Sequence, residues 1–154
     1  MTIEKIISGG QTGADIAGID AAIFCKFPYG GWLPKGRKAE NGTVPATYTK
    51  FQEMTRGGYP MRTEQNVKDS DGTVIFTYGS LSGGSSLTKG CAAKNRKPWL
   101  HIDLDTVKNP AAKLNDWVIE WDIKILNVTG KNASKAPAIY DQVKDIITQV
   151  LQGA

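Results

Sequence analysis

Long apolar runs are missing from this chain: no stretch approaches the roughly 20 residues that a membrane-spanning helix needs. The amino end, Met1-Thr2-Ile3-Glu4-Lys5, develops no cleavable leader. A soluble cytoplasmic protein is expected. Cysteine and histidine are scarce: Cys25, Cys91 and His101 are all there are. Neither thiol has a partner at zinc or redox spacing, so both read as reduced core residues and no protein-ligated metal is expected. Acidic residues never cluster at ligand spacing, and there is no histidine pair and no nucleophile elbow. Metal-assisted or serine-triad hydrolysis therefore has no support in the sequence. His101, beside Trp99 and Ile102 in an expected strand, reads as a core or edge residue.

Strong charge of one sign is missing too. The 19 basic and 15 acidic residues leave a net charge of +4, a mild bias toward anionic partners. A continuous basic stripe interleaved with aromatics is absent, which argues against a nucleic-acid-binding surface. Trp117 and Trp121, four apart on an expected helix, read as packing residues.

What remains is a chain of 154 residues, enough to bury about 70% of its unfolded surface as one domain over 1–154. Apolar runs at Ile3–Ile7, Thr73–Thr77, Lys97–Ile102 and Lys124–Val128 read as strands. A shorter strand interrupted by Gly30-Gly31 fits 26–33. Helical periodicity covers Ala14–Phe24, through Ile16, Ile19, Ile23 and Phe24, and also 62–68, Leu87–Lys94, Ala111–Asp122 and Pro137–Leu151. Strands alternating with helices predict an α/β fold, a parallel sheet covered on both faces. From Pro34 to Pro60 the chain is rich in glycine, proline and threonine, too long for an ordinary connection and therefore functional or disordered.

In such sheets ligands bind at the carboxyl ends of the strands. Three loops fall there, 8–14, 77–86 and 129–136, each rich in glycine, serine or threonine. Gly9, Gly10 and Gly13 could admit an anion close to the backbone, or make only a tight strand-to-helix turn. Gly83-Gly84 with Ser85, Ser86 and Thr88 offers amides and hydroxyls suited to phosphate, with Ser86 as a helix cap the alternative reading. Ser134 reads as a cap of the last helix. Asp15 is either a cap in the first helical turn or a contact to a base, sugar or pterin edge, and Asp20 would need partners if it points inward. Candidates for acid or base work are Asp15, Asp20, Glu40 and Glu64, and spacing flags none of them as catalytic.

The set Gly9-Gly10-Gln11-Thr12-Gly13-Ala14-Asp15 with Asp20, Gly31-Trp32, Pro34-Lys35-Gly36-Arg37, Glu40, Arg62-Thr63, Asp71-Gly72-Thr73, Gly83-Gly84, Leu87-Thr88 and Lys97-Pro98 resembles the molybdenum-cofactor carrier family. That family is similar to the wider lysine-decarboxylase-like group, which includes cytokinin-activating phosphoribohydrolases. The resemblance runs over nearly the whole chain. It implies a Rossmann-like three-layer α/β/α fold with a mostly parallel sheet of about five or more strands. It further implies binding, and carriage, of a phosphorylated nucleotide-like or pterin ligand such as molybdenum cofactor, a homo-oligomer (dimer or tetramer) and molybdoenzyme partners. The alternative is a hydrolase acting on a nucleoside monophosphate or a related phosphorylated metabolite. Carried over by position, the ligand would meet Gly9, Gly10, Gln11, Thr12, Gly13, Gly83, Gly84, Ser85, Ser86 and Thr88, with Asp15 and Asp20 close by. Arg37 and Arg62 would face the same cleft, making 34–60 a lid or cleft wall. Two departures stand out. Gly90 lies near the place where the phosphoribohydrolases carry a catalytic glutamate. Lys131-Asn132-Ala133-Ser134 stands for the family's Pro-Arg-Glu-Ser, so an arginine and a glutamate are missing, and Lys131 is the candidate substitute.

Overall fold

The protein is described by a computed structural model over residues 2–153. In chain order the elements are β1 (Lys5–Ile7), α1 (Ala14–Phe24), β2 (Tyr29–Gly30), β3 (Trp32–Leu33), a 3-10 turn (Lys35–Arg37), β4 (Lys38–Ala39), β5 (Gly42–Thr43), β6 (Gln52–Glu53), α2 (Tyr59–Asp69), β7 (Gly72–Thr77), α3 (Gly84–Lys94), β8 (Trp99–Asp103), α4 (Pro110–Glu120), β9 (Ile125–Gly130) and α5 (Ile139–Leu151). Five strands form one parallel sheet in the order β2-β1-β9-β7-β8. Helices α1, α4 and α5 pack together on one face, and α2 and α3 on the other. The expected three-layer, Rossmann-like α/β/α architecture is what the chain adopts.

The strand order explains why three distant loops meet. The last strand, β9, inserts between β1 and β7, so the segments leaving the carboxyl ends of those strands become neighbours, with the last of them in the middle. β7 lies inside the sheet and all six of its residues are buried, as a strand covered on both faces requires. Its Val74 and Phe76 join Ile6, Leu126 and Val128 in the main core.

Helix α1 departs from the expected apolar stripe. Ile23 is 46% and Phe24 64% exposed, whereas Ala14, Ala17, Ala21 and Ala22 are fully buried. Small side chains let α1 sit close to β9 and α5, its main neighbours, and a row of isoleucines on that face would hold them apart. Helix α3 also starts earlier than its hydrophobic periodicity suggests. Gly83, with φ 51°, is its N-cap, so Ser86 lies within the first turn and caps nothing. Segment 34–60 is structured rather than disordered. It folds into two short ribbons, β3 with β6 and β4 with β5, and contributes Ala39, Val44 and Phe51 to the core. Asn66 of α2 fastens it to the body, accepting from the Trp32 amide at 2.8 Å and donating to the Trp32 carbonyl at 3.0 Å. Both cysteines are free thiols.

Candidate functional site

The two glycine loops have opposite fates. Gly9, Gly10 and Gly13 are buried, and the space their missing side chains leave is filled by the protein itself. A Cβ on Gly9 would collide with the Arg62 guanidinium, and one on Gly10 with the Leu33 side chain. Gly13, at φ +82°, leaves no room either: a Cβ there would stand 2.5 Å from the Lys131 carbonyl oxygen and 2.9 Å from the Ala133 nitrogen. Several of the loop's amides are engaged as well. Gly10 donates to the Ser8 hydroxyl at 3.1 Å, Thr12 to Gln11 Oε1 at 3.0 Å, and Ala14 to the Lys131 carbonyl at 3.1 Å. Gly83 and Gly84, by contrast, are exposed, and a Cβ on either would meet nothing within 4 Å. Ser85 and Leu87 direct their amides to the Ser82 and Gly83 carbonyls. Among the described residues the Gly84 and Ser86 amides of this first turn have no backbone acceptor, and the helix dipole there favours an anion.

Between the second and third loops lies an open cleft of about 190 Å³. Its rim is cationic: Lys131 and Lys135 line it, and Lys131 Nζ bridges to the Ser82 hydroxyl at 2.7 Å. Its wall carries Thr63, Ser85 and Thr88, and its floor pairs Arg62 with Asp15. Arg62 is only 7% exposed. One guanidinium nitrogen donates to the Gly9 carbonyl at 2.5 Å and stands 3.6 Å from the Asp15 carboxylate, and the group lies 5.3 Å from the centre of the Tyr59 ring. Asp15, 5% exposed, accepts from the Thr129 hydroxyl and from the Gln11 and Gly130 amides. Burial outweighs these partners and the nearby guanidinium, and holds the Asp15 carboxyl up at about 6. Burial likewise pulls Arg62 down from its ordinary value. The arrangement offers phosphate oxygens hard cationic and amide donors, and offers a proton acceptor beside them.

The sequence model of the circularly permutated YpsA SLOG family matches residues 6–151. The chain belongs to that family. A crystal structure at 1.45 Å resolution of a protein from Syntrophus aciditrophicus SB, named "Putative molybdenum carrier protein", is similar at 51% sequence identity and a TM-score of 0.93. The match covers 97% of this chain and 95% of that one. No curated protein matches the chain.

In this member of the YpsA SLOG family the expected site residues separate into two groups. Gln11, Asp15, Arg62, Gly84, Ser85 and Thr88 come together at the cleft, and Gly83 caps the helix that opens onto it. Ser86 faces the other side of α3, toward His101 and Lys89. Arg37 is not brought to the cleft. Its guanidinium donates to the Val44, Pro45 and Tyr48 carbonyls at 3.2, 2.8 and 3.2 Å, closing the 34–48 segment on itself. Asp20 accepts from the Tyr48 hydroxyl at 2.7 Å and from the Tyr140 hydroxyl, tying α1 to that segment and to α5. Thr12 donates to Glu40 and accepts from the Ala133 amide at 3.1 Å. Ser134, expected to cap α5, instead gives its amide and hydroxyl to Glu40 at 3.0 and 2.6 Å. These contacts hold the Glu40 carboxyl below its usual range. Glu64 pairs with Lys94 at 3.2 Å on the α2–α3 surface, away from the cleft.

Lys135 and Thr129 were missed by sequence reasoning. Their positions, Thr129 at the carboxyl end of β9 and Lys135 in the loop that follows, are the signal that could have found them, since the neighbouring strands carry glycine loops at the same end. His101, half-buried, shares a 2.7 Å hydrogen bond with the Thr77 hydroxyl, and burial pulls it down from its ordinary value.

Proposed function

We propose that this chain binds a phosphorylated, nucleotide-like or pterin ligand as a single ligand-binding domain. Molybdenum cofactor is one candidate cargo. The observation that carries the reading is the exposed start of α3 at Gly83-Gly84, facing Lys131 and Lys135 across the cleft. Phosphate oxygens fit that donor set. Lys131 reaches Ser82 and, among the described residues, has no carboxylate of its own to neutralise it, so it stands ready for the ligand's charge and takes the role of the family's arginine.

The volume of about 190 Å³ is below the roughly 300–1,000 Å³ of pockets that enclose a drug-sized molecule. A phosphate and one ring edge would be held while the rest of the ligand stays in solvent. Such an open seat suits a carrier, which must also release. The name of the Syntrophus protein supports a molybdenum-related cargo.

Isothermal titration with nucleoside phosphates and isolated molybdenum cofactor tests this reading. At least one should bind, and Lys131→Ala should weaken it more than tenfold, the loss of one charge-assisted contact of roughly 1.5–3 kcal/mol. If no member of the panel binds, or if Lys131→Ala binds as the wild type does, the reading fails.

A second reading is favoured by Asp15 alone. A carboxyl held at about 6 in a cleft that Arg62, Lys131 and Lys135 line is poised to exchange a proton near neutral pH, as a nucleotide-processing hydrolase requires. Incubation with a nucleoside monophosphate library between pH 5 and 9, followed by chromatography, should then release base or phosphate, and Asp15→Asn should abolish the release. Absence of any product sinks the hydrolase reading and leaves the binding one untouched.

A further inference from the structure

We propose that the floor of the cleft is a subsite for two adjacent N–H donors on a ligand ring edge, the pattern of a 2-amino-4-oxopyrimidine, read by Asp15 and Asn127. This rests on the phosphate-binding reading above and adds what the rest of the ligand must be.

The starting observation is an orphan. Asn127 of β9 is 3% exposed, and its side-chain nitrogen donates to the Thr73 hydroxyl at 3.2 Å on the neighbouring strand. Its side-chain oxygen has no hydrogen-bond partner among the described residues. Buried acceptors in native proteins are nearly always satisfied, so a lone one points to a donor from outside the chain. Asn127 lines a chamber of about 10 Å³, bordered also by Asp15, Arg62, Thr63 and Thr88. Those four residues line the cleft above it as well, so the chamber is a downward extension of the cleft floor.

Several of its polar neighbours direct their donors elsewhere. Thr88 gives its proton to the Gly84 carbonyl at 3.0 Å, and Thr129, two residues along the same face of β9, gives its own to Asp15. Arg62 is aimed at the Gly9 carbonyl. Asp15 and Asn127 line the same chamber, so a buried carboxyl and an unpaired amide oxygen are both available to a donor that enters it.

A chamber of this size holds about one water, which serves both acceptors when the cleft is empty. An amino group of similar size takes its place when a ligand enters, while the adjacent ring N–H meets the second acceptor. A 2-amino-4-oxopyrimidine edge, shared by guanine and pterins, presents those two donors together. Hypoxanthine presents one, and the adenine edge alternates donor with acceptor.

Titration of wild type and Asn127→Leu with inorganic pyrophosphate, GMP and IMP tests the subsite. Pyrophosphate should bind both proteins equally, and wild type should prefer GMP over IMP by at least tenfold. Asn127→Leu, checked for its native fold by circular dichroism, should bring that ratio close to one. Equal binding of GMP and IMP to wild type while pyrophosphate binds would overturn the subsite and leave the phosphate cleft standing. Failure of pyrophosphate to bind at all would overturn the phosphate reading and the subsite with it. A GMP preference that survives in Asn127→Leu would also overturn it. Should that variant not fold, the wild-type ratio decides, together with Asn127→Ser, which keeps a donor for Thr73 and should also lower the ratio.

Discussion

The loops after β1 and β7 look alike in composition, and the structure uses them in opposite ways. In the first, Gly9, Gly10 and Gly13 make room for Arg62, Leu33 and the third loop. In the second, Gly83 and Gly84 make room for nothing in the chain. Both satisfy the rule that glycine permits close approach. What differs is the identity of the approaching group: neighbouring protein in one loop, solvent or ligand in the other. The first loop is thus a keystone that locks Arg62, Glu40 and the third loop in place, and the second is the open edge of the cleft.

The largest effect should come from filling the closed loop. Gly13→Ala meets the third-loop backbone at 2.5 Å and needs a φ of +82°, so it should lose more than about 3 kcal/mol of stability or fail to fold, as judged by urea denaturation.

Asp15 sharpens the comparison next, because it is buried where the two loops converge. Its carboxyl stands at about 6 in the folded chain against 3.8 for the free group. The folded state therefore holds the proton more tightly. The stability this contributes is full below about pH 3.8 and is lost as pH rises through 6. Relative to Asp15→Asn, which stays neutral, wild type should lose about 3 kcal/mol between pH 2.5 and 7.5, at 1.36 kcal/mol per unit. A pH-independent difference between the two denaturation curves would contradict the burial assigned to this group.

On the open side, Lys131→Ala should cost ligand affinity, roughly 1.5–3 kcal/mol, with little change in stability. Arg37→Ala should do the reverse, loosening the 34–48 segment while titration gives an affinity within about twofold of wild type. The smallest effect belongs to Gly84→Ala, whose methyl meets nothing within 4 Å. Thermal denaturation should place it within about 1 kcal/mol of wild type, on the stable side, since alanine is the better helix former.

Much of this architecture is legible in residue order. Strands at Thr73–Thr77 and Lys124–Val128 announce themselves as apolar runs, and alternation with helices implies the parallel sheet and the end at which ligands bind. The insertion of β9 between β1 and β7 is not legible, because strand order depends on which faces pack together and not on local pattern. For that reason the fates of the loops stay hidden in the sequence. Arg37 and Arg62 are equivalent as letters, yet Arg37 has three carbonyls within reach and Arg62 has a carboxylate and a cleft. Asp20, expected to need partners if it points inward, finds them in Tyr48 and Tyr140, and Thr12 finds Glu40, all within the protein. Asn127 carries no signal of its own, since one amide inside Ile-Leu-Asn-Val reads as part of an apolar strand until the unpaired oxygen is seen.

The most direct test of the contrast between the loops is a crystal structure of the complex with inorganic pyrophosphate. The account predicts phosphate density against the backbone of Gly83–Ser85, within hydrogen-bond distance of Lys131, and an unchanged first loop. Density seated instead on the Gly9–Gly13 backbone, with Arg62 displaced to admit it, would contradict the account.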